Sequence, residues 1–229
     1  MRPAVLIVLA VFFVTVLSLV FRWGHDDVAE ADAEPVADLP VYQRVCQQCH
    51  GAQGEGNPAL KTPSIAGQPR WYLEEQLRKF RLGWRGDEPR DVLGQQMRAI
   101  AVSLSDRDVE GAVATVIAFP RRETQATFEG DIANGRLIWE EQCIDCHRYN
   151  GSGEKVFGSS PLTAFQDWYI AAQVEKFRTG ARGYHPDDEK GQQMRHLISY
   201  LSASEGRDVS AYIATLAERY PPKLKKRIR

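Results

Sequence analysis

The chain has 229 residues, of which 26% are charged and 43% apolar, an ordinary globular mixture with a formal charge of −1 at pH 7. That charge is unevenly spread: −3 over residues 1–36, +1 over 37–121, −4 over 122–222 and +5 over the last seven. No segment builds the broad basic face of a nucleic-acid binder, so that class is set aside.

Residues 4–21, AVLIVLAVFFVTVLSLVF, carry no charge, and at a rise of ~1.5 Å per residue they cover ~27 Å, close to a bilayer's hydrocarbon thickness. A single membrane anchor over 1–23 is expected. The competing reading is a cleaved secretory signal, but the run exceeds a usual signal core and ends in Arg22, Trp23 and Gly24. Nothing in the flanking charges favours keeping the long C-terminal part inside, so it is expected on the periplasmic side of a bacterial inner membrane. Residues 24–38, rich in Asp, Glu and Ala, read as a solvated tether.

From residue 39 the sequence turns globular and then repeats itself. CQQCH at 46–50 returns as CIDCH at 143–147, and GQQMR at 94–98 returns letter for letter at 191–195, both at a shift of 97. Trp71, Tyr72, Gln76, Lys79, Phe80, Arg81, Gly83, Arg85 and Gly86 map by the same shift onto Trp168, Tyr169, Gln173, Lys176, Phe177, Arg178, Gly180, Arg182 and Gly183. A period this long is a domain length, so two tandem domains are expected, 39–121 and 126–222. Past the second pentapeptide, Arg107, Asp108, Val109 and Thr115 meet Arg207, Asp208, Val209 and Thr215 at a shift of 100, which suggests a three-residue loop insertion.

Each copy reads as all-α. Leu73, Leu77, Phe80 and Trp84 follow Pro69 at helical spacing, and Ile170, Val174 and Phe177 repeat the stripe. Val109, Ala112, Val113, Val116 and Ile117 form a second apolar face behind a Ser105/Asp108 capping pattern. The valine-rich runs could be strands, yet they lack two-residue alternation and hairpin turns. Three to five helices per domain with long Gly- and Pro-rich loops leave little ordinary core, so something else is expected to fill the centre.

The two motifs hold all four cysteines, Cys46, Cys49, Cys143 and Cys146. Cysteines three apart share a helix face, and the next residue, His50 or His147, can then reach an iron, which is the pattern of covalent c-type haem attachment. A redox disulfide needs neither the histidine nor a duplicate, and a zinc site needs a second ligand pair that neither copy supplies. Met97 and Met194 are the only internal methionines and each falls 47 residues after its histidine. They are expected to occupy the opposite axial position from equivalent loops, raising the haem potential and leaving no open site for oxygen or peroxide. His25, His185 and His196 have no duplicates and read as tether, surface or loop residues, with His196 a possible substitute ligand.

With these motifs the chain resembles the tandem dihaem cytochromes of the cytochrome c4 family, class I c-type cytochromes, over about residues 39–221. The segment PSIAGQ at 63–68 looks like the family's loop after the first haem motif, whereas SPLTAF at 160–165 lacks its Ala-Gly-Gln part. The resemblance implies that Pro63 and Pro161 lie beside the histidines, where a backbone carbonyl orients the imidazole. It also implies two covalent haems facing each other across a domain interface. Trp71 and Trp168 are expected to pack against haem or core, and Arg98 and Arg195 are candidates for a supporting role, such as pairing with propionates. Arg78, Lys79, Arg81 and Arg85 read as a solvated helix face, with compensation of propionates or an acidic partner the alternative. The basic tail, 223–229, could touch an acidic protein or membrane or be a mobile end.

The expected function is single-electron transfer from a respiratory donor, a quinol-oxidising complex or a dehydrogenase, to a terminal oxidase or reductase, with redox proteins as partners and no small-molecule substrate. The alternatives are a permanent cytochrome subunit of a larger oxidoreductase and, with a displaceable ligand, a dihaem peroxidase.

Overall fold

A computed structural model describes residues 40–121, 126–127 and 129–221, within a compact unit that begins at Pro40. The expected anchor, tether and basic tail lie outside the described residues. Among the described residues no helix is long and apolar enough to cross a membrane.

The described residues are helical, with two isolated β-bridges, Asn57 to Thr62 and Glu154 to Ser159, pinning equivalent loops. In the first copy, α1 winds as a π-helix over Tyr42–Cys46 and continues as an α-helix over Gln47–His50. It is followed by α2 (Arg70–Arg81), α3 (Val92–Ser103) and α4 (Asp106–Val116). The second copy repeats the order. Helix α5 runs through Ile132–Ile138, a π turn Trp139–Cys143 and an α turn Ile144–His147. After it come α6 (Asp167–Arg178), α7 (Glu189–Ile198) and α8 (Ala203–Arg219).

Local chemistry explains the helix starts. Ser105 caps α4 and Ser202 caps α8, each accepting from the third helical N–H while Asp108 or Glu205 reaches back to the cap. These two boxes stand 97 residues apart, so the expected loop insertion is absent. The agreement at a shift of 100 lies inside the helices, almost one turn out of step. Asp91 and Asp188 cap α3 and α7. Those two helices carry GQQMR, and so the methionines stand on helices and not in the loops expected.

The terminal helices of the second copy cross closely: a Cβ on Gly135 would lie 2.1 Å from the Asp208 carbonyl oxygen, a contact that only glycine permits. Around that crossing Ile138, Trp139, Ile170, Val174, Phe177, Val209, Ile213 and Leu216 form a joined core. In the first copy Tyr42, Leu73, Val113 and Val116 form a much smaller one. Tyr72 of the first copy packs into the second core, with Trp71 against it. The two copies are thereby bound to each other through apolar contact as well as sequence.

Candidate haem-binding sites

In both copies the wider π turn ends on the first cysteine and a single α turn then carries the second cysteine and the histidine. Such π turns often mark functional positions, because they re-aim the side chains that follow. The chain reverses immediately afterwards at Gly51 (φ +83°) and Arg148 (φ +67°). The loop that returns is tied to the motif by Thr62, which donates to the Cys49 carbonyl, and by Ser159 Oγ, 2.5 Å from the Cys146 carbonyl.

That loop also orients the histidines. His50 Nδ1 lies 2.9 Å from the Pro63 carbonyl and His147 Nδ1 lies 3.1 Å from the Ser160 carbonyl. A carbonyl only accepts, so each Nδ1 carries the proton and each Nε2 keeps its lone pair. Burial lowers both imidazole pKa values, against the opposing pull of these carbonyls, and favours the neutral donor form. Pro63 therefore stands where expected, but Pro161 does not: the residue before it supplies the carbonyl, at the same 13-residue offset as in the first copy.

Two of the four thiols lie where burial disfavours the thiolate. Burial, followed by the neighbouring cysteine, pushes Cys46 up to about 11 and Cys143 up to about 12. A redox pair or zinc site wants the opposite shift, towards thiolate. Among the described residues no three His, Cys, Asp or Glu side chains converge to hold a metal ion.

The donors of each copy line one open, largely apolar cavity, which side chains of the other copy help to wall. The first is lined by Cys46, Cys49, His50 and Met97, the second by Cys143, Cys146, His147 and Met194. Both methionines are half-buried. Two thiols, an imidazole with a free Nε2, a thioether and walls of Leu, Val, Ile and Phe fit a covalently held haem.

The pentapeptide now has reasons for its other letters. Gly94 N–H donates to Asp91 Oδ1 (2.9 Å) and Gly191 N–H to Asp188 Oδ1 (3.0 Å). A Cβ at either glycine would lie 2.2 or 2.1 Å from the second carboxylate oxygen, so the cap folds over a bare backbone. The first glutamine holds the preceding loop: Gln192 Nε2 donates to the His185 and Pro186 carbonyls, and Gln95 Nε2 reaches the Glu88 carbonyl at 3.4 Å. The second, Gln96 or Gln193, lines the cavity.

Arg98 and Arg195 line neither cavity: Arg98 Nε lies 3.5 Å from Asp87, and Arg195 packs on Gly180. Among the described residues three arginines do face the cavities, Arg182 the second and Arg85 and Arg207 the first, and Arg182 and Arg85 stand at equivalent positions. Arg85 is buried between the copies, donating to Gln76 Oε1 (2.8 Å), Tyr169 OH (2.7 Å) and Gln173 Oε1 (3.1 Å). Arg182 mirrors it, donating to Gln173 Oε1 (2.8 Å) and Gln76 Oε1 (3.1 Å). Burial and the nearby Arg85 charge push the Arg182 pKa down. Lys79, also buried, pairs with Asp188 across the boundary, and Lys176 pairs with Asp91. The solvated face therefore holds for Arg78 and Arg81 but fails for Lys79 and Arg85, which together with Tyr169, Gln173 and the two caps form an interface that the sequence pattern does not single out. Its trace there is the set of polar identities repeated at 97 where no ordinary core needs them.

Trp168 lines the cavity of the other copy, while Trp71 packs against the second core and lines neither cavity. His185 lies in the loop before α7 and stacks on Trp84, with ring centroids 5.7 Å apart, and His196 is exposed.

Comparison with known proteins agrees with this architecture. Residues 40–114 and 132–217 match the family model described as cytochrome c. The thiosulfate dehydrogenase electron acceptor of Stutzerimonas stutzeri strain A1501 is 31% identical over 208 residues, covering 86% of this chain and 87% of that one. Cytochrome c4 of Pseudomonas aeruginosa is 27% identical over 208 residues, covering 87% and 97%. Reduced recombinant cytochrome c4 from Pseudomonas stutzeri aligns with a TM-score of 0.58 at 29% identity, over 74% of this chain and 92% of that one. A thiosulfate dehydrogenase from Marichromatium purpuratum aligns with a TM-score of 0.60 at 30% identity, over 74% of this chain but 36% of its own length.

Proposed function

We propose that this chain, which belongs to the cytochrome c family as a tandem dihaem protein of the cytochrome c4 type and carries two c-type haems, is a membrane-anchored relay passing single electrons between redox proteins. Its haem domains are 39–121 and 126–222, held on the periplasmic side of the inner membrane by the apolar segment at 4–21. Cys46 and Cys49 would hold the first haem covalently and Cys143 and Cys146 the second, with His50 and Met97, and His147 and Met194, as the residues that would hold the two irons. The observation that supports this assignment is the lining of one apolar cavity per copy by these four donors.

Bound haem supplies a ferric/ferrous couple that gains and loses one electron. The chain's own residues do the rest. The Pro63 and Ser160 carbonyls fix the imidazole tautomer, and a neutral thioether favours the ferrous state. Arg85 and Arg182 present positive charge to both cavities, suited to the propionate carboxylates. With a histidine and a methionine holding each iron, no ligand position would be left open for a substrate, and the protein would act in electron transfer alone; peroxide turnover at Met-ligated haem would contradict this.

Relatives named as thiosulfate dehydrogenase electron acceptors support a thiosulfate dehydrogenase as donor; a terminal oxidase or reductase is our proposed acceptor. Met97→Ala and Met194→Ala test the ligand assignment: each is expected to remove the sulfur-to-iron absorption signature of one haem and lower its potential. An unchanged spectrum rules out that methionine. A second reading, a permanent subunit, is favoured by the match to about a third of a solved dehydrogenase chain. Co-purification with the donor that survives high salt selects it over a transient carrier.

A further inference from the structure

The reciprocal ion pairs between the copies have a specific address. Lys79 Nζ of α2 lies 2.7 Å from Asp188 Oδ1, and Lys176 Nζ of α6 lies 2.5 Å from Asp91 Oδ1. Asp188 is the N-cap of α7, which carries Met194, and Asp91 is the N-cap of α3, which carries Met97. In each case the same carboxylate oxygen accepts the lysine and the backbone N–H of the glycine three residues before the methionine. The Asp side chains are 4% and 1% exposed, so water screens these pairs poorly. Among the described residues, the only other acid within 4 Å of Lys79 Nζ is Glu75 on its own helix, at 3.8 Å.

From this arrangement we infer that Lys79 is a positioning residue for the methionine of the second copy and Lys176 for that of the first, so that each domain holds its partner's thioether in place. The inference rests on the axial roles proposed above for Met97 and Met194. The physical reason is local. A buried carboxylate that loses its cation retains a charge without a counterion, which destabilises far more than removing both partners. The first turn of α7 or α3 is the part that must open to hydrate it. Gly191 N–H then loses its acceptor, and the turn bearing Met194 lies next along the helix. The docking of the copies thus regulates how firmly each methionine is held, and anything that separates them loosens both.

The crossed pattern distinguishes this device from general loosening. The holoprotein is followed by the upfield-shifted methyl resonance of ligated methionine in the reduced state and by the pH at which the ferric sulfur-to-iron band is lost. Met97→Ala and Met194→Ala assign one resonance to each haem. Lys79→Met is expected to make release of Met194 on the order of tenfold easier, less than the full cost of a broken buried pair because hydration of Asp188 in the opened turn recovers part of it. The Met97 resonance should stay unmoved. Lys176→Met should give the mirror result, Lys79→Arg should retain ligation, and Lys79→Met combined with Asp188→Asn should restore Met194 by removing the stranded charge. Lys79 also lines the second cavity, so its charge can act on that haem directly; such an effect would move the potential without releasing Met194 and would not be rescued by Asp188→Asn. A same-domain response, an equal response of both resonances or no rescue in the double variant overturns the crossed clamp alone. Resonances that survive Met97→Ala and Met194→Ala overturn the ligand assignment and the clamp with it.

Discussion

A Cβ placed on Gly86 would lie 2.2 Å from the carbonyl oxygen of Gly94, and the pair Gly183 and Gly191 repeats the approach at 2.3 Å. The loop after α2 thus rests directly on the first turn of the methionine helix. Gly86 also has φ +77°, so Gly86→Ala meets both backbone strain and a backbone clash. A loss of roughly 2–3 kcal/mol is expected. In Gly94→Ala the displaced atom belongs to the Asp91 side chain, and the cost should be that of a weakened cap, about 1 kcal/mol. Thermal unfolding of the two holoproteins checks the order; equal melting temperatures would contradict it.

Arg85 is expected to hold the two copies together. Its guanidinium serves three neutral acceptors and lies 4.5 Å from the Phe80 ring centroid. Arg85→Leu should cost roughly 2–3 kcal/mol by leaving buried acceptors unpaired. Arg85→Lys should recover less than half, since one ammonium cannot reproduce a planar fork. Denaturant unfolding measures both, and full rescue by lysine would show that charge alone matters there.

Ser105→Ala and Ser202→Ala remove equivalent capping boxes from α4 and α8. Each is expected to cost about 1 kcal/mol. Because the two caps share no partner, the double variant should cost the sum within a few tenths of a kcal/mol. A strongly non-additive result would place the two caps in one cooperative contact.

Preventing attachment in one copy should affect the copies unequally. The joined core of the first copy is Tyr42, Leu73, Val113 and Val116, against the larger cluster built around Trp139 and Leu216 in the second. Cys46→Ser with Cys49→Ser is therefore expected to abolish slow amide exchange in α2–α4. Cys143→Ser with Cys146→Ser should leave measurable protection in α5 and α8, because their crossing at Gly135 is a contact of the chain with itself, against Asp208 and Tyr212. Equal protection in both would contradict this.

Helix positions were legible because their causes are local. Pro69 precedes α2, Ser105 and Asp108 frame the start of α4, and the apolar stripe at 73, 77 and 80 follows the helical period. Trp84 fits the same period but lies beyond the C-cap at Leu82, where Arg78 covers its ring at 4.4 Å. Periodicity marks a face and does not say where the helix stops. In the sequence the GQQMR segments look like loops, since Gly and two Gln weaken an apolar pattern. The decisive feature is the aspartate three residues before each glycine, whose cap is visible only once its side chain is seen folding back.

By itself the sequence determined the duplication, the four cysteines in two Cys-x-x-Cys-His motifs, the equally spaced histidines and methionines, and the all-α class, since each is a matter of residue type at a set spacing along one chain. The tertiary structure alone decided which polar repeats face each other: Lys79 with Asp188, Lys176 with Asp91, and Arg85 with Tyr169 and Gln173. The physical reason is that a charged side chain on a helix reads as solvated until another surface removes its water. Whether that happens depends on the docking of two helices about 100 residues apart in the chain, which no local period encodes.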